Sequence, residues 1–123
     1  MNRRDFTTHI RKTYNIQPDF PWFQHPNYGV FRHGGNKKWF AVIMDIPGVK
    51  LGLPSEETID VVNLKCTPEL MGGFLMEPGI FPAYHMNKNN WLSKALDSAD
   101  HEKLQILLDM SFQLTKPKTR ISK

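Results

Sequence analysis

DVVNLKCTPELMGGF, residues 60–74, changes its periodicity half-way, and that change decides the fold. In the first half Val62, Leu64 and Cys66 alternate with Val61, Asn63 and Lys65, so the two sets point to opposite faces of a strand over 60–66. Thr67-Pro68-Glu69 then reads as a helix start. The hydroxyl is placed to cap free N–H groups, proline sits at the tolerated first position, and the carboxylate meets the positive end of the dipole. This helix is expected to run to about Glu77 and to stop at Pro78-Gly79. Gly72 and Gly73 inside it each cost on the order of 1 kcal/mol relative to alanine, which points to a close packing partner or a frayed middle.

Upstream, YGVFRH at 28–33 and KKWFAVIMD at 37–45 flank a GGN turn and read as a hairpin, with Gly34, Gly35 and Asn36 supplying the positive φ that tight hairpins demand. IPGVKLGLPSEET after it is a loop with VKLGL at most a short edge segment. IQPDFPWFQHPN at 16–27 holds three prolines and is an extended loop. Residues 2–15 place Phe6, Ile10 and Tyr14 on one helical face, with Arg4, Arg11 and Lys12 forming a wet basic face. Downstream, GIFPAYHMNKNNW at 79–91 forms a hairpin loop and WLSKALD at 91–97 a strand. DSAD supplies caps for a last helix that aligns Leu104, Leu107, Leu108, Ser111 and Leu114. The order is helix, three strands, helix, two strands, helix. Antiparallel hairpins with helices on one face make a two-layer α+β sandwich.

The 123 residues suit one domain over 1–115, followed by a basic tail at 116–123. That tail carries Lys116, Lys118, Arg120 and Lys123 without an acid, and it accounts for the whole net charge of +4. Such a tail reads as a solvated, frayed end, the alternative being an element that adds nonspecific phosphate affinity. No apolar run approaches the ~20 residues of a membrane span, and no apolar segment follows the charges of MNRRDFTTHIRK as in a secretory signal. With one cysteine there is no internal disulfide, so the expected compartment is the cytoplasm.

Catalytic and metal chemistry find little support. Cys66 precedes a helix start, where a thiol pKa can fall, and His85 is a conceivable base. Its alternation with Val62 and Leu64 reads more simply as a buried small apolar group. His9, His25, His33, His85 and His101 are scattered, without metal-ligand spacing. No phosphate loop or nucleophile elbow is present, so no cofactor, metal or enzymatic activity is expected.

Several separated stretches together resemble the MmcQ/YjbR-like family of small bacterial domains. They are Pro21-Trp22-Phe23; Val30; Lys38-Trp39-Phe40-Ala41; Leu64-Lys65-Cys66-Thr67-Pro68-Glu69; Tyr84-His85-Met86-Asn87-Lys88 with Trp91; and Ser111-Phe112-Gln113-Leu114. The resemblance covers nearly the whole chain. It implies an α-β(3)-α-β(2)-α sandwich, shared in outline with type III secretion chaperones, and DNA binding through exposed loops of the sheet. Two residues depart from the pattern: Lys94 stands where the family usually carries Val or Ile, and Phe112 replaces the usual tyrosine.

The function expected is DNA binding without catalysis. Arg32, Lys37 and Lys38 surround the first hairpin turn beside His33, while His85, Asn87 and Lys88 fill the second loop with Asn89 and Asn90. Cations there would hold phosphates, and asparagines would touch base edges or sugars. The plainer alternative is that the asparagines satisfy a turn while Tyr84 and Trp91 pack on the core. Two other partners fit the residues. One is a protein or peptide, suggested by the chaperone-like fold, six methionines and the apolar stretch Leu70–Met76. The other is a small molecule in a pocket of Lys65, Tyr84, His85 and Trp91.

Overall fold

The periodicity change falls where the chain turns from strand to helix. In the computed structural model, which describes residues 1–96 and 101–118, β3 spans Thr58–Lys65 and α2 spans Pro68–Phe74. The other elements are α1 (Arg3–Tyr14), β1 (Gly29–Arg32), β2 (Trp39–Pro47), β4 (Ile80–Pro82), β5 (Trp91–Ala95) and α3 (His101–Thr115). The five strands form one antiparallel sheet in the order β1-β2-β3-β5-β4. This is the α+β order that the sequence predicts. The capping role expected of DSAD falls on residues 97–100, outside the described residues.

The alternation along β3 divides two apolar layers. Val62, Leu64 and Cys66 join Phe6 and Ile10 of α1, Phe31, Phe40 and Ile43 of the first hairpin, Met71 of α2, and Leu104, Leu107 and Leu108 of α3. Each of these large side chains contributes roughly 1.5–3 kcal/mol on full burial. Val61 points the other way, with Val30, Val42, Met44 and Ile46. Among the described residues no α-helix covers this second layer. It is roofed by Trp22 and Tyr28 from the proline-rich loop, and by Tyr84 and Met86 from the loop between β4 and β5.

Several local expectations are corrected. VKLGL is not an edge strand: Gly48–Leu51 forms a 3₁₀ turn, and β2 continues through Pro47. α2 stops at Phe74 rather than Glu77, and Thr67 occupies its N-cap without a side-chain capping bond. Neither Gly72 nor Gly73 has a packing partner, since a Cβ added at either would meet nothing within 4 Å. The early end therefore follows from helix propensity, and replacing both glycines with alanine should raise stability by about 1–2 kcal/mol in urea denaturation. The GGN turn holds no left-handed glycine; the residue at positive φ is Lys37, at 63°. Gly35 is needed for a different reason, because a Cβ there would lie 2.8 Å from the Pro117 ring. Finally Leu114 is 43% exposed, and Thr115 takes the buried position. At about 100° per residue, Leu114 lies roughly 80° off the stripe set by Leu104, whereas Thr115 returns to within roughly 20°.

Hydrogen bonds through buried groups fix α3 across the sheet. Ser111 Oγ donates to the Phe40 carbonyl at 2.5 Å and accepts the Lys65 N–H at 2.8 Å. Thr115 Oγ1 donates to the Ser111 carbonyl, which leaves it to accept from His33 Nε2 at 2.9 Å. Asn36 Nδ2 donates to the Thr115 carbonyl. Phe112, a position where the resemblance leads to the expectation of tyrosine, stacks on Tyr14 with centroids 3.9 Å apart, and it is the Tyr14 hydroxyl that donates to Asp109. Lys94, on the helix-covered face opposite Val62, is 1% exposed.

His33 is buried between Phe40 and Phe112, and desolvation lowers its pKa below the ordinary imidazole value near 6.5. A lowered folded pKa means that the unfolded chain takes up the proton first. The stabilising contribution is therefore complete above about pH 6.5 and is lost as pH falls through the folded pKa. Urea midpoints should drop between pH 7.5 and 5, and His33→Gln should flatten that drop. An equally steep fall in the variant would assign the pH dependence to other groups.

Candidate nucleic-acid interface

Strand direction places both candidate loops at the same end of the sheet. Trp39 and Ala41 begin β2, Leu64 and Lys65 end β3, and Trp91 and Leu92 begin β5; Ala41 pairs with Leu64 and Lys65 with Trp91. The β1–β2 turn (33–38) and the β4–β5 loop (83–90) therefore leave the sheet side by side. In the strand order their centres are three strand spacings apart, or roughly 14 Å.

Within the first turn, the Lys37 N–H donates to the His33 carbonyl and the Lys38 N–H to Asn36 Oδ1, leaving both lysine side chains exposed. Arg32 is engaged locally. Its Nε donates to Asp19 at 2.9 Å, and its guanidinium lies 5.9 Å over Trp39. The tail returns to this turn through Pro117 on Gly35, so Lys116 and Lys118 share a shallow groove with Asn36 and Lys38, and no carboxylate of a described residue lines it. The tail's charge thus begins as part of a surface rather than as a separate end. Sequence reading missed this, because nothing local relates position 38 to position 116.

A closed set of buried hydrogen bonds holds the second loop. Asn63 Nδ2 donates to the Tyr84 carbonyl at 2.9 Å, the Tyr84 N–H donates to Ser93 Oγ at 3.0 Å, and Ser93 Oγ donates to Asn63 Oδ1. Further along, the Cys66 N–H donates to the Asn90 carbonyl. Asn87 builds the turn: its Oδ1 accepts the Asn89 N–H and its carbonyl accepts those of Asn90 and Trp91. His85 and Lys88 are exposed, and His85 sits at φ 60°. Each loop therefore carries one non-glycine residue in the left-handed region, a conformation costing roughly 1–2 kcal/mol and concentrated at functional sites.

The grouping of Lys65, Tyr84, His85 and Trp91 separates into two places. Lys65 Nζ lies 5.7 Å over the Trp91 ring, and neither residue lines the cavity that Tyr84 and His85 face. Tyr84, His85 and Met86 instead face Trp22, His25 and Tyr28 of the proline-rich loop across Trp39, Val42 and Met44 of β2, enclosing about 270 Å³. Trp22 meets Trp39 at 88° with centroids 5.7 Å apart, and His25 stacks on Tyr28 at 4.4 Å. The available sequence signal was the pair of tryptophans at 22 and 39, each beside a proline-rich or basic stretch, but the cavity between them depends on tertiary approach.

Burial raises the Cys66 pKa, and its Sγ donates to the Thr67 carbonyl at 3.3 Å. That shift is opposite to the one an activated thiolate needs. Among the described residues, no group of three or more His, Cys, Asp or Glu side chains is placed to hold a metal, and no helix is long and apolar enough to cross a membrane.

A family model described as YjbR matches residues 11–114. The chain belongs to the YjbR family. It is similar to the uncharacterized protein YyaQ of Bacillus subtilis, with 41% identity over 94% of this chain and 99% of that one. It is also similar to a Pseudomonas syringae protein solved by crystallography, with 45% identity, a TM-score of 0.92, and coverage of 94% of this chain and 99% of that one. A crystal structure of Deinococcus radiodurans protein DR2400, described as a DUF419 domain, shares the YjbR fold alone, at 21% identity and a TM-score of 0.69 over 92% of this chain and 77% of that one.

Proposed function

We propose that this protein binds nucleic acid without catalysis, through the end of the sheet where its two hairpin loops emerge. The observation that carries this reading is the shared end: Lys37 and Lys38 on one loop and Lys88 on the other, with Lys116 and Lys118 beside Lys38. Two cationic loops roughly 14 Å apart suit a duplex whose major groove is about 12 Å wide, one loop meeting each phosphate ridge. The DNA-binding expectation attached to the family resemblance points the same way.

Phosphate contacts position a protein on nucleic acid, and their strength falls with salt because counterions are released. Fluorescence anisotropy with a labelled duplex of about 20 base pairs tests the proposal. With three to five phosphate contacts, log K should fall linearly with log salt at a slope of about −2.7 to −4.5. Absence of binding at low ionic strength would reject it.

A further inference from the structure

The helix-free face carries a cavity that cationic loops alone do not require. We infer that it holds one planar heteroaromatic ring, the base of a nucleotide. This deepens the preceding reading, on which the ring's arrival as an unpaired base of a bound strand rests.

Four features of the cavity select that ligand. Its size, about 270 Å³, lies below the range of roughly 300–1,000 Å³ typical of drug-sized ligands and suits a single ring system. Trp22 and Trp39 stand perpendicular, so a ring lying flat on one meets the edge of the other, and both geometries are favourable for aromatic pairs. The phenols of Tyr28 and Tyr84 and the imidazoles of His25 and His85 have no hydrogen-bond partner among the described residues, which leaves donors and acceptors for the edges of a base. Among the described residues no carboxylate lines the cavity, although Asp45 acts on the Tyr28 phenol from outside it, and Arg32, paired with Asp19, rests its guanidinium over Trp39, so the lining itself sets no negative charge against a ring that carries phosphate.

Beside the cavity, Phe23 is 99% exposed in the same loop as Trp22 and His25. A phenylalanine fully in water is a ready second platform, on which a neighbouring base can stack. The β4–β5 loop forms the opposite wall through Tyr84 and His85, and so links the ring site to the cations at the sheet end.

The test uses the full chain and three probes: a ten-residue deoxyadenosine strand, an abasic strand with the same phosphates, and adenosine monophosphate. Affinity is read by anisotropy for the strands, and by quenching of tryptophan emission for all three. The expected result is that the base-bearing strand binds about tenfold or more tightly than the abasic one and quenches emission. Trp39→Ala should abolish that ratio. Because Trp39→Ala also removes part of the packing on the sheet, Met86→Trp, which fills the cavity from the loop, serves as the second variant with the same expected loss. Equal binding of both strands overturns the ring site and leaves the cationic reading standing. Quenching by adenosine monophosphate with no binding of either strand or of the 20-base-pair duplex overturns the nucleic-acid reading and keeps the ring site, with a free nucleotide as its source. No response to any of the three probes overturns the ring site, and the 20-base-pair duplex then decides the cationic reading by itself.

Discussion

Asn63→Leu is expected to destabilise the protein by about 3 kcal/mol and to free the β4–β5 loop from the sheet. Asn63 is fully buried in the middle of β3, on the face without helices. Its amide donates to the Tyr84 carbonyl and its Oδ1 accepts from Ser93, while Ser93 accepts the Tyr84 N–H. Leucine preserves volume but leaves the Tyr84 carbonyl without its donor and the Ser93 O–H without its acceptor, although Ser93 Oγ still accepts the Tyr84 N–H, and each hydrogen-bonding group so orphaned costs roughly 1–3 kcal/mol. Ser93→Ala breaks the same set from the other side, so the double variant should cost clearly less than the two single changes together. Urea denaturation of the three variants checks this. A loss below about 1 kcal/mol for Asn63→Leu would show that the loop is held mainly by the apolar contacts of Tyr84 and Met86.

The second large effect is on binding. Replacing Lys37, Lys38 and Lys88 together with alanine should flatten the salt dependence by about 2.7 decades of affinity per decade of salt, at roughly 0.9 for each phosphate no longer neutralised. At 0.1 M salt that amounts to an affinity loss of two to three orders of magnitude, closing toward 1 M. All three side chains are exposed and make no ion pair with a described residue, so stability should be nearly unchanged. Alanine at Arg11 and Lys12, on the exposed basic face of α1, is the control and should leave the slope as it was. If the control flattened the slope and the triple variant did not, α1 would be the binding surface.

What could be read from the sequence was whatever the chain states locally. Phe6 and Ile10 in α1 and the alternation of Val62, Leu64 and Cys66 in β3 announce their elements, because backbone geometry imposes a period on any buried face. Departures arise where a local cue competes with tertiary geometry. Gly34 and Gly35 look like left-handed turn residues, but Pro117 arriving from the far end of the chain explains Gly35, and Lys37 takes the positive φ. Leu114 continues an apparent leucine stripe that the helical pitch carries off the core.

The candidate contact residues divide in the same way. His85 and Lys88 are exposed as a contact loop needs, whereas Asn87 spends its side chain on the turn and Arg32 is engaged with Asp19. The cavity and the Lys38, Lys116 and Lys118 groove were beyond local reading. Their walls come from segments tens of residues apart, and Trp22, His25 and Tyr28 lie in a proline-rich loop without periodicity.

The central claim is that one end of the sheet meets nucleic acid, and amide chemical-shift mapping during titration with the 20-base-pair duplex tests it most directly. The predicted result is that the shifts concentrate at residues 33–38, 84–90 and 115–118. Shifts concentrated at residues 48–58, at the opposite end of the sheet, or along the basic face of α1 would contradict it.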